Sequence, residues 1–119
     1  MRRLITLLLA AAALLGLAGC SSAAESVTVT AETVILDVRS PSEYESGHLE
    51  GATLLDLNSG EFAAALPGLD PAAEYVVYCR SGNRSGQAVA LMEQAGFTNV
   101  TDLGSVNAAS KATGIDIVK

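Results

Sequence analysis

The chain has 119 residues, and its 13 acidic and 7 basic side chains give a formal net charge of −6 at pH 7. This length suits a single domain, and the acidic excess argues against electrostatic binding to nucleic acid or to an anionic lipid surface. With one His and two Cys, the chain lacks the ligands of a usual zinc site, so we expect neither a metal nor a cofactor.

The first 20 residues have the composition of an export signal. Arg2 and Arg3 precede an apolar run from Leu4 to Leu15, and small residues follow the run. The run is shorter than the roughly 20 apolar residues of a membrane-spanning helix, which disfavours the alternative of a retained anchor helix. Leu17-Ala18-Gly19-Cys20 resembles the lipobox of bacterial lipoproteins. This resemblance implies cleavage before Cys20 and a diacylglycerol on its sulfur.

The lipobox divides the chain into three predicted parts. Residues 1–19 form the signal peptide, residues 20–30 the lipidated Cys20 with a tether, and residues 31–119 the domain. We expect an exported monomer that is held by its lipid on the extracytoplasmic face of a bacterial membrane.

Removal of the signal changes both the charge and the cysteine count of the chain. Without Arg2 and Arg3, five basic residues remain against 13 acidic ones, which is a net charge of −8. If Cys20 carries lipid, Cys79 has no partner for a disulfide within the chain. A lone cysteine in an exported protein is a candidate reactive thiol, although a buried inert cysteine is the alternative.

Short apolar runs alternate with helix-like segments along the rest of the chain. We predict strands at 34–38, 51–55, 75–78, 100–103 and 115–118, and helices from Ser40-Pro41 to Gly47 and at 58–66, 85–95 and 105–112. This alternation predicts an α/β fold, a three-layer sandwich with a mostly parallel central sheet flanked by helices. In such sheets ligands bind beyond the carboxyl ends of the strands.

The segment Cys79 to Ser85 lies between the strongest strand prediction and the strongest helix prediction. Gly82 and Asn83 tolerate left-handed backbone angles, so this loop is able to turn its N–H groups inward as a nest for an anion. The start of the following helix and the charges of Arg80 and Arg84 add positive potential. Such a setting lowers the pKa of a thiol, and the resulting thiolate is able to attack an electrophilic sulfur.

Three segments carry a resemblance to the rhodanese domain, which extends from about Val34 to Val118. They are Leu36-Asp37-Val38-Arg39 followed by Glu43-Tyr44, then Gly47 to Ala52, and then Cys79 to Ser85. The resemblance implies that Cys79 carries sulfane sulfur as a persulfide. It also implies that a cradle of loop residues binds the substrate: Arg80, Ser81, Gly82, Asn83 and Arg84.

The resemblance gives other residues supporting roles. It implies that Asp37 pairs with Arg84 and so fixes the loop, with Arg39 beside it at the strand end. His48 belongs to a structural turn in the family pattern, and catalysis by His48 is the less favoured alternative. The chain departs from the family at Ala109, which stands where a Trp is usual, and this departure puts substrate selectivity in doubt.

Sulfur transfer from a small anionic donor such as thiosulfate to a thiol or cyanide-like acceptor is therefore the leading functional hypothesis. Four residues separate Cys79 from Arg84, whereas the related cell-cycle phosphatases have five, and a shorter loop suits sulfur better than a phosphoryl group. A non-catalytic binding or sensor module and a phosphatase or arsenate reductase are the alternatives.

Overall fold

The computed structural model describes residues 26–119, and the predicted signal peptide and Cys20 lie outside these residues. The strands are β1 (Val34–Asp37), β2 (His48–Leu49), β3 (Thr53–Leu54), β4 (Tyr75–Cys79), β5 (Val100–Ser105) and β6 (Ile117–Val118). The α-helices are α1 (Pro41–Glu45), α2 (Glu61–Ala65), α3 (Asn83–Gln94) and α4 (Val106–Thr113), and a 3-10 turn at Leu66–Gly68 follows α2. No helix within residues 26–119 is long and apolar enough to cross a bilayer.

Four parallel strands form the central sheet in the order β3-β1-β4-β5. Because successive side chains on a strand point to opposite faces, β4 contributes Tyr75, Val77 and Cys79 to one core cluster and Val76 and Tyr78 to the other. The first cluster packs against α2 and α3, and the second packs against α4. The predicted α/β sandwich with a mostly parallel sheet is confirmed.

Several element boundaries differ from the prediction. Helix α2 begins at Glu61 rather than at residue 58, because the Asp56 carboxylate accepts a hydrogen bond from Asn58 N at 3.0 Å and holds the intervening residues in a turn. Helix α3 begins at Asn83, two residues earlier than predicted. Strand β6 pairs antiparallel with β2 in a separate two-stranded ribbon.

Helix α1 begins as its sequence predicts. Ser40 Oγ accepts a hydrogen bond from Glu43 N, and Glu43 Oε1 accepts one from Ser40 N at 3.1 Å, which together form a capping box. Pro41 occupies the first turn, where its missing N–H has no cost.

The segment before β1 is attached to the domain. Val27 N donates to Ala112 O at 2.8 Å, and Val27 and Val29 pack against the core cluster on the α4 side of the sheet. The packed part of the described chain therefore begins at Val27, within the stretch that the sequence assigned to a tether. Residues 26–33 form no helix.

A buried ion pair lies at the carboxyl end of β1. Asp37 is fully buried, and its carboxylate accepts hydrogen bonds from Arg39 N at 2.9 Å and from Arg39 Nη2 at 2.7 Å. Arg39 Nη2 also donates to Gly47 O at 2.6 Å, and its guanidinium lies 5.5 Å from the centre of the Tyr78 ring. The pair therefore joins β1, β4 and the turn that follows α1.

We expect Asp37→Asn to destabilise the fold by about 3 kcal/mol or more, because Arg39 would keep a buried charge without its partner. Urea unfolding followed by circular dichroism measures the loss. Asp116→Asn removes the same charge from an exposed side chain, and its effect should stay within about 0.5 kcal/mol. Equal stability of the two variants would contradict the role of the pair.

Candidate functional site

Cys79 is the last residue of β4 and lies at the carboxyl edge of the parallel sheet. The residue is fully buried, and its strand lies between β1 and β5 in the sheet. On the β5 side Cys79 pairs with Ser105. This is the edge at which α/β sheets bind their ligands.

The loop after Cys79 turns back over its sulfur. Gly82 has a φ of +101°, in the left-handed region, and its N–H donates to Cys79 Sγ at 2.9 Å. The left-handed turn predicted for this loop is made by Gly82, whereas Asn83 is the first residue of α3. A side chain at Gly82 would be strained by this φ, so glycine is required for the turn that brings its N–H to the sulfur.

Ser85 adds a hydroxyl to the sulfur from the first turn of α3. Its Oγ lies 3.5 Å from Cys79 Sγ and 3.2 Å from the carbonyl oxygen of Gly82, and the residue is fully buried. In the thiol state the S–H donates to Oγ, and the hydroxyl donates to the Gly82 carbonyl. In the thiolate state the hydroxyl proton is able to turn to the sulfur, which stabilises the negative charge.

The pKa of Cys79 reflects this surrounding. Burial raises the pKa of the thiol, but hydrogen bonds from the Ser85 hydroxyl and from the N–H groups of Ser85, Gly82 and Ser81 outweigh it, so the pKa lies below its ordinary value. The site therefore stabilises the thiolate more than an ordinary cysteine environment does, unlike the inert buried thiol that was the alternative.

Arg84 does not pair with Asp37, so the prediction that followed from the family resemblance is wrong for this pair. Arg84 Nη1 and Nη2 donate to Glu43 Oε1 and Oε2 at 2.8 Å and 3.0 Å. Asp37 is instead occupied by Arg39, which is two residues away and buried with it. The loop is thus tied to helix α1 rather than to the end of β1.

The other predicted cradle residues differ in what they offer a ligand. The side chains of Arg80, Ser81 and Asn83 are exposed at the rim. Asn83 Oδ1 accepts a hydrogen bond from Gln87 Nε2 at 2.8 Å, so its amide is partly occupied within α3. Arg80 is therefore the exposed residue of the loop that carries a full positive charge.

A bulge in β5 forms the opposite wall of the loop. Val77 pairs with Asp102 but Tyr78 pairs with Gly104, so Leu103 is the extra residue. Gly104 Cα lies 3.7 Å from where a Cβ on Gly82 would stand. Ala109, at the position of the usual Trp, is fully buried in the core cluster on the α4 side.

His48 and Tyr44 have structural contacts. Their rings stack with centroids 3.7 Å apart, and His48 Nδ1 lies 2.8 Å from Tyr44 O. Because a carbonyl oxygen only accepts, Nδ1 carries the proton. The Tyr44 hydroxyl donates to Ala52 O at 3.1 Å. These contacts agree with the structural turn that the sequence predicts and do not assign His48 a catalytic role.

Sequence reasoning gave no role to Ser85 and did not join Glu43 to the loop. The position of Ser85 six residues after Cys79, at the start of the predicted helix, is the sequence feature that indicates a hydroxyl close to the sulfur. Within residues 26–119, no group of three or more His, Cys, Asp or Glu side chains is arranged to hold a metal ion.

Comparison with known proteins identifies the family of the chain. The model of the Rhodanese-like domain matches residues 23–112. The chain is 40% identical over 88 residues to a probable adenylyltransferase/sulfurtransferase, MoeZ, of Mycobacterium tuberculosis, covering 71% of this chain but only 22% of that protein. It is 33% identical over 73 residues to thiosulfate sulfurtransferase PspE of Escherichia coli, covering 60% of this chain and 68% of PspE.

Solved structures share the fold. The Rhodanese-like domain of the Alr3790 protein from Anabaena superposes with a TM-score of 0.62 at 33% identity, covering 73% of this chain and 81% of that one. A rhodanese with anions from E. coli superposes with a TM-score of 0.60 at 30% identity, covering 73% of this chain and 98% of that one.

We expect Ser85→Ala to raise the pKa of Cys79, because the thiolate loses a hydroxyl donor while the thiol loses only an acceptor. The pH dependence of Cys79 alkylation by iodoacetamide measures this pKa, and the midpoint should move upward. Ser81→Ala is the control, since Ser81 stabilises the thiolate through its backbone N–H. A midpoint that is the same in both variants would refute the role of the Ser85 hydroxyl.

Proposed function

Because the chain belongs to the Rhodanese-like domain family, we propose that it is a sulfurtransferase whose Cys79 carries the sulfur as a persulfide. The observation that carries the proposal is that the loop directs hydrogen-bond donors at one atom, Cys79 Sγ. Gly82 N–H donates to Cys79 Sγ, and the Ser85 hydroxyl lies beside it. Donors that stabilise the Cys79 thiolate favour it both as the nucleophile that takes the sulfur and as the leaving group that releases it.

Relatives support thiosulfate as the donor. PspE is a thiosulfate sulfurtransferase, and the E. coli rhodanese structure contains anions. The acidic chain offers a small anion little long-range attraction. Binding therefore depends on the loop N–H groups and on the exposed charge of Arg80 at the rim.

The proposed reaction has two displacements. The Cys79 thiolate attacks the outer sulfur of thiosulfate, the S–S bond of the donor breaks, and sulfite leaves with the bonding electron pair. The new persulfide keeps one negative charge. A thiol or cyanide-like acceptor then attacks the outer sulfur, and the Cys79–sulfur bond breaks to restore the thiolate. Loop N–H groups already face Sγ whenever it carries the charge, before the first displacement and after the second, so little reorganisation is needed there.

The loop supports sulfur transfer over the alternative of a phosphatase or arsenate reductase. Four residues lie between Cys79 and Arg84, and Arg84 has its two terminal nitrogens on Glu43. The lowered pKa of Cys79 supports an enzyme over a non-catalytic binding module, because a pure binding site has no need of a reactive thiolate.

We expect thiosulfate to add one sulfur atom to the full-length chain, detected as a gain in intact mass. The gain should disappear on reduction and should be absent from Cys79→Ser, because only that thiolate lies in the anion-stabilising loop. Cyanide should remove the sulfur and produce thiocyanate. Absence of the gain, or its survival in Cys79→Ser, would exclude the proposed carrier.

We further propose that the protein acts as a lipid-anchored monomer on the extracytoplasmic face of a bacterial membrane. Arg2 and Arg3, the apolar run from Leu4 to Leu15 and the lipobox that ends at Cys20 support this proposal. Two or more acyl chains hold a protein on a bilayer firmly, whereas one gives only marginal binding.

Cys20→Ser should prevent lipidation, because the acceptor sulfur is gone. Growth of the producing bacterium with an alkyne-tagged fatty acid labels the wild-type protein, which should sediment with membranes. The Cys20→Ser variant should remain unlabelled. Cys79→Ser is the matched control and should be labelled as strongly as the wild type. Label on the Cys20 variant would show that the anchor lies elsewhere.

A further inference from the structure

The ion pair between Glu43 and Arg84 joins helix α1 to the first turn of α3, directly after the sulfur-binding loop. Arg84 presents Nη1 and Nη2 to the two carboxylate oxygens at 2.8 Å and 3.0 Å, which is the bidentate geometry that arginine also uses to bind oxyanions. Both side chains are only partly exposed, at 20% for Arg84 and 25% for Glu43. The pair therefore occupies the bidentate face that Arg84 would otherwise have for an oxyanion.

Glu43 is held in this position from both sides. Its Oε1 accepts hydrogen bonds from Ser40 N at 3.1 Å and Ser40 Oγ at 3.0 Å, in addition to the one from Arg84. The hydrogen bond from Arg84 lowers the pKa of Glu43 to about 2. The carboxylate thus stays ionised at any pH where the protein functions, and it permanently offsets the charge of Arg84.

Sulfur transfer and phosphoryl transfer place negative charge at different depths in such a loop. In attack on thiosulfate, a single sulfur atom meets Cys79 Sγ, and the sulfonate oxygens lie one bond farther out. In binding of phosphate or arsenate, the oxygens surround the atom that is next to the sulfur. Neutralised Arg84, in the first turn of α3, therefore disfavours phosphate or arsenate held against Cys79. The exposed Arg80 still suits the more distant sulfonate oxygens of thiosulfate.

We propose that Glu43 is a specificity-determining residue, which withholds Arg84 from oxyanions held against Cys79 and so reserves the loop for sulfur donors. The role of the site in sulfur transfer rests on the proposed function. The effect on oxyanion binding depends only on the ion pair and is measurable without any turnover.

Glu43→Gln tests the proposal. Glutamine at this position still completes a capping box, so α1 should keep its start. Inorganic phosphate is the probe, and its binding is measured by the protection of Cys79 from iodoacetamide in the full-length chain. Alkylation is quantified on the peptide that contains Cys79, so Cys20 does not contribute. The concentration for half-protection should fall about tenfold, because Arg84 loses the charge that offsets its own and one of its two carboxylate acceptors.

Glu45→Gln is the matched control. It removes the same charge from the same helix, but Glu45 is exposed, so half-protection should shift less than about twofold through a screened charge. The double variant Glu43→Gln/Arg84→Gln keeps the wild-type net charge and lacks the freed arginine. It should bind phosphate within about twofold of the wild type.

Each outcome decides the proposal. The proposal is supported if phosphate binds more tightly to Glu43→Gln but not to Glu45→Gln or to the double variant. Equal phosphate binding in the Glu43 and Glu45 variants overturns it, as does tightening that persists in the double variant. A tenfold loss in the double variant also overturns it, because Arg84 would then bind the oxyanion directly in the wild type. The mass gain with thiosulfate tests sulfur transfer separately, so the failure of one idea is distinguishable from the failure of the other.

Discussion

The buried ion pair of Asp37 and Arg39 determines how the edge of the sheet is assembled around the thiol. Two charges without water are stable only when each is fully partnered, and Arg39 meets this need with the Asp37 carboxylate and Gly47 O. The guanidinium also lies over Tyr78, whose hydroxyl accepts a hydrogen bond from Leu49 N. Because Tyr78 directly precedes Cys79, the same contacts that join β1, β2 and β4 also fix the backbone that presents the sulfur.

The backbone geometry of the loop then places hydrogen-bond donors around the sulfur. A parallel strand must end at the carboxyl edge, and the chain must then reverse direction to start a helix on the sheet face. Gly82 makes that reversal with a positive φ, so its N–H points back at the sulfur rather than out to water. Ser85 follows one helical turn later. Burial, which alone would suppress the thiolate, is thereby outweighed by donors that the fold itself supplies.

The strand–loop–helix unit was predictable from the sequence because its signals are local. β-Branched and aromatic residues mark β4, a glycine marks the turn, and Ser40 with Glu43 marks the start of α1. Partners of charged side chains were not predictable in the same way. Several acidic residues were available to Arg84, and the choice of Glu43 depends on how α1 lies against the loop. The bulge at Leu103 likewise arises from the register of two distant strands.

The charge available to a ligand in this domain depends on which basic side chains are paired, more than on how many there are. Of the five basic residues within residues 26–119, Arg39 is committed to the buried pair and Arg84 to Glu43. Lys111 lies in the last turn of α4, at the end away from the carboxyl edge of the sheet, and Lys119 follows β6 in the separate ribbon. Arg80 is left as the cation at the rim of the loop. The acidic surface repels anions over distances up to about 10 Å at moderate salt, whereas N–H donors act only at contact. An anion is therefore retained only if it fits the loop closely enough to reach those donors, so selectivity follows from shape and hydrogen bonding more than from overall charge.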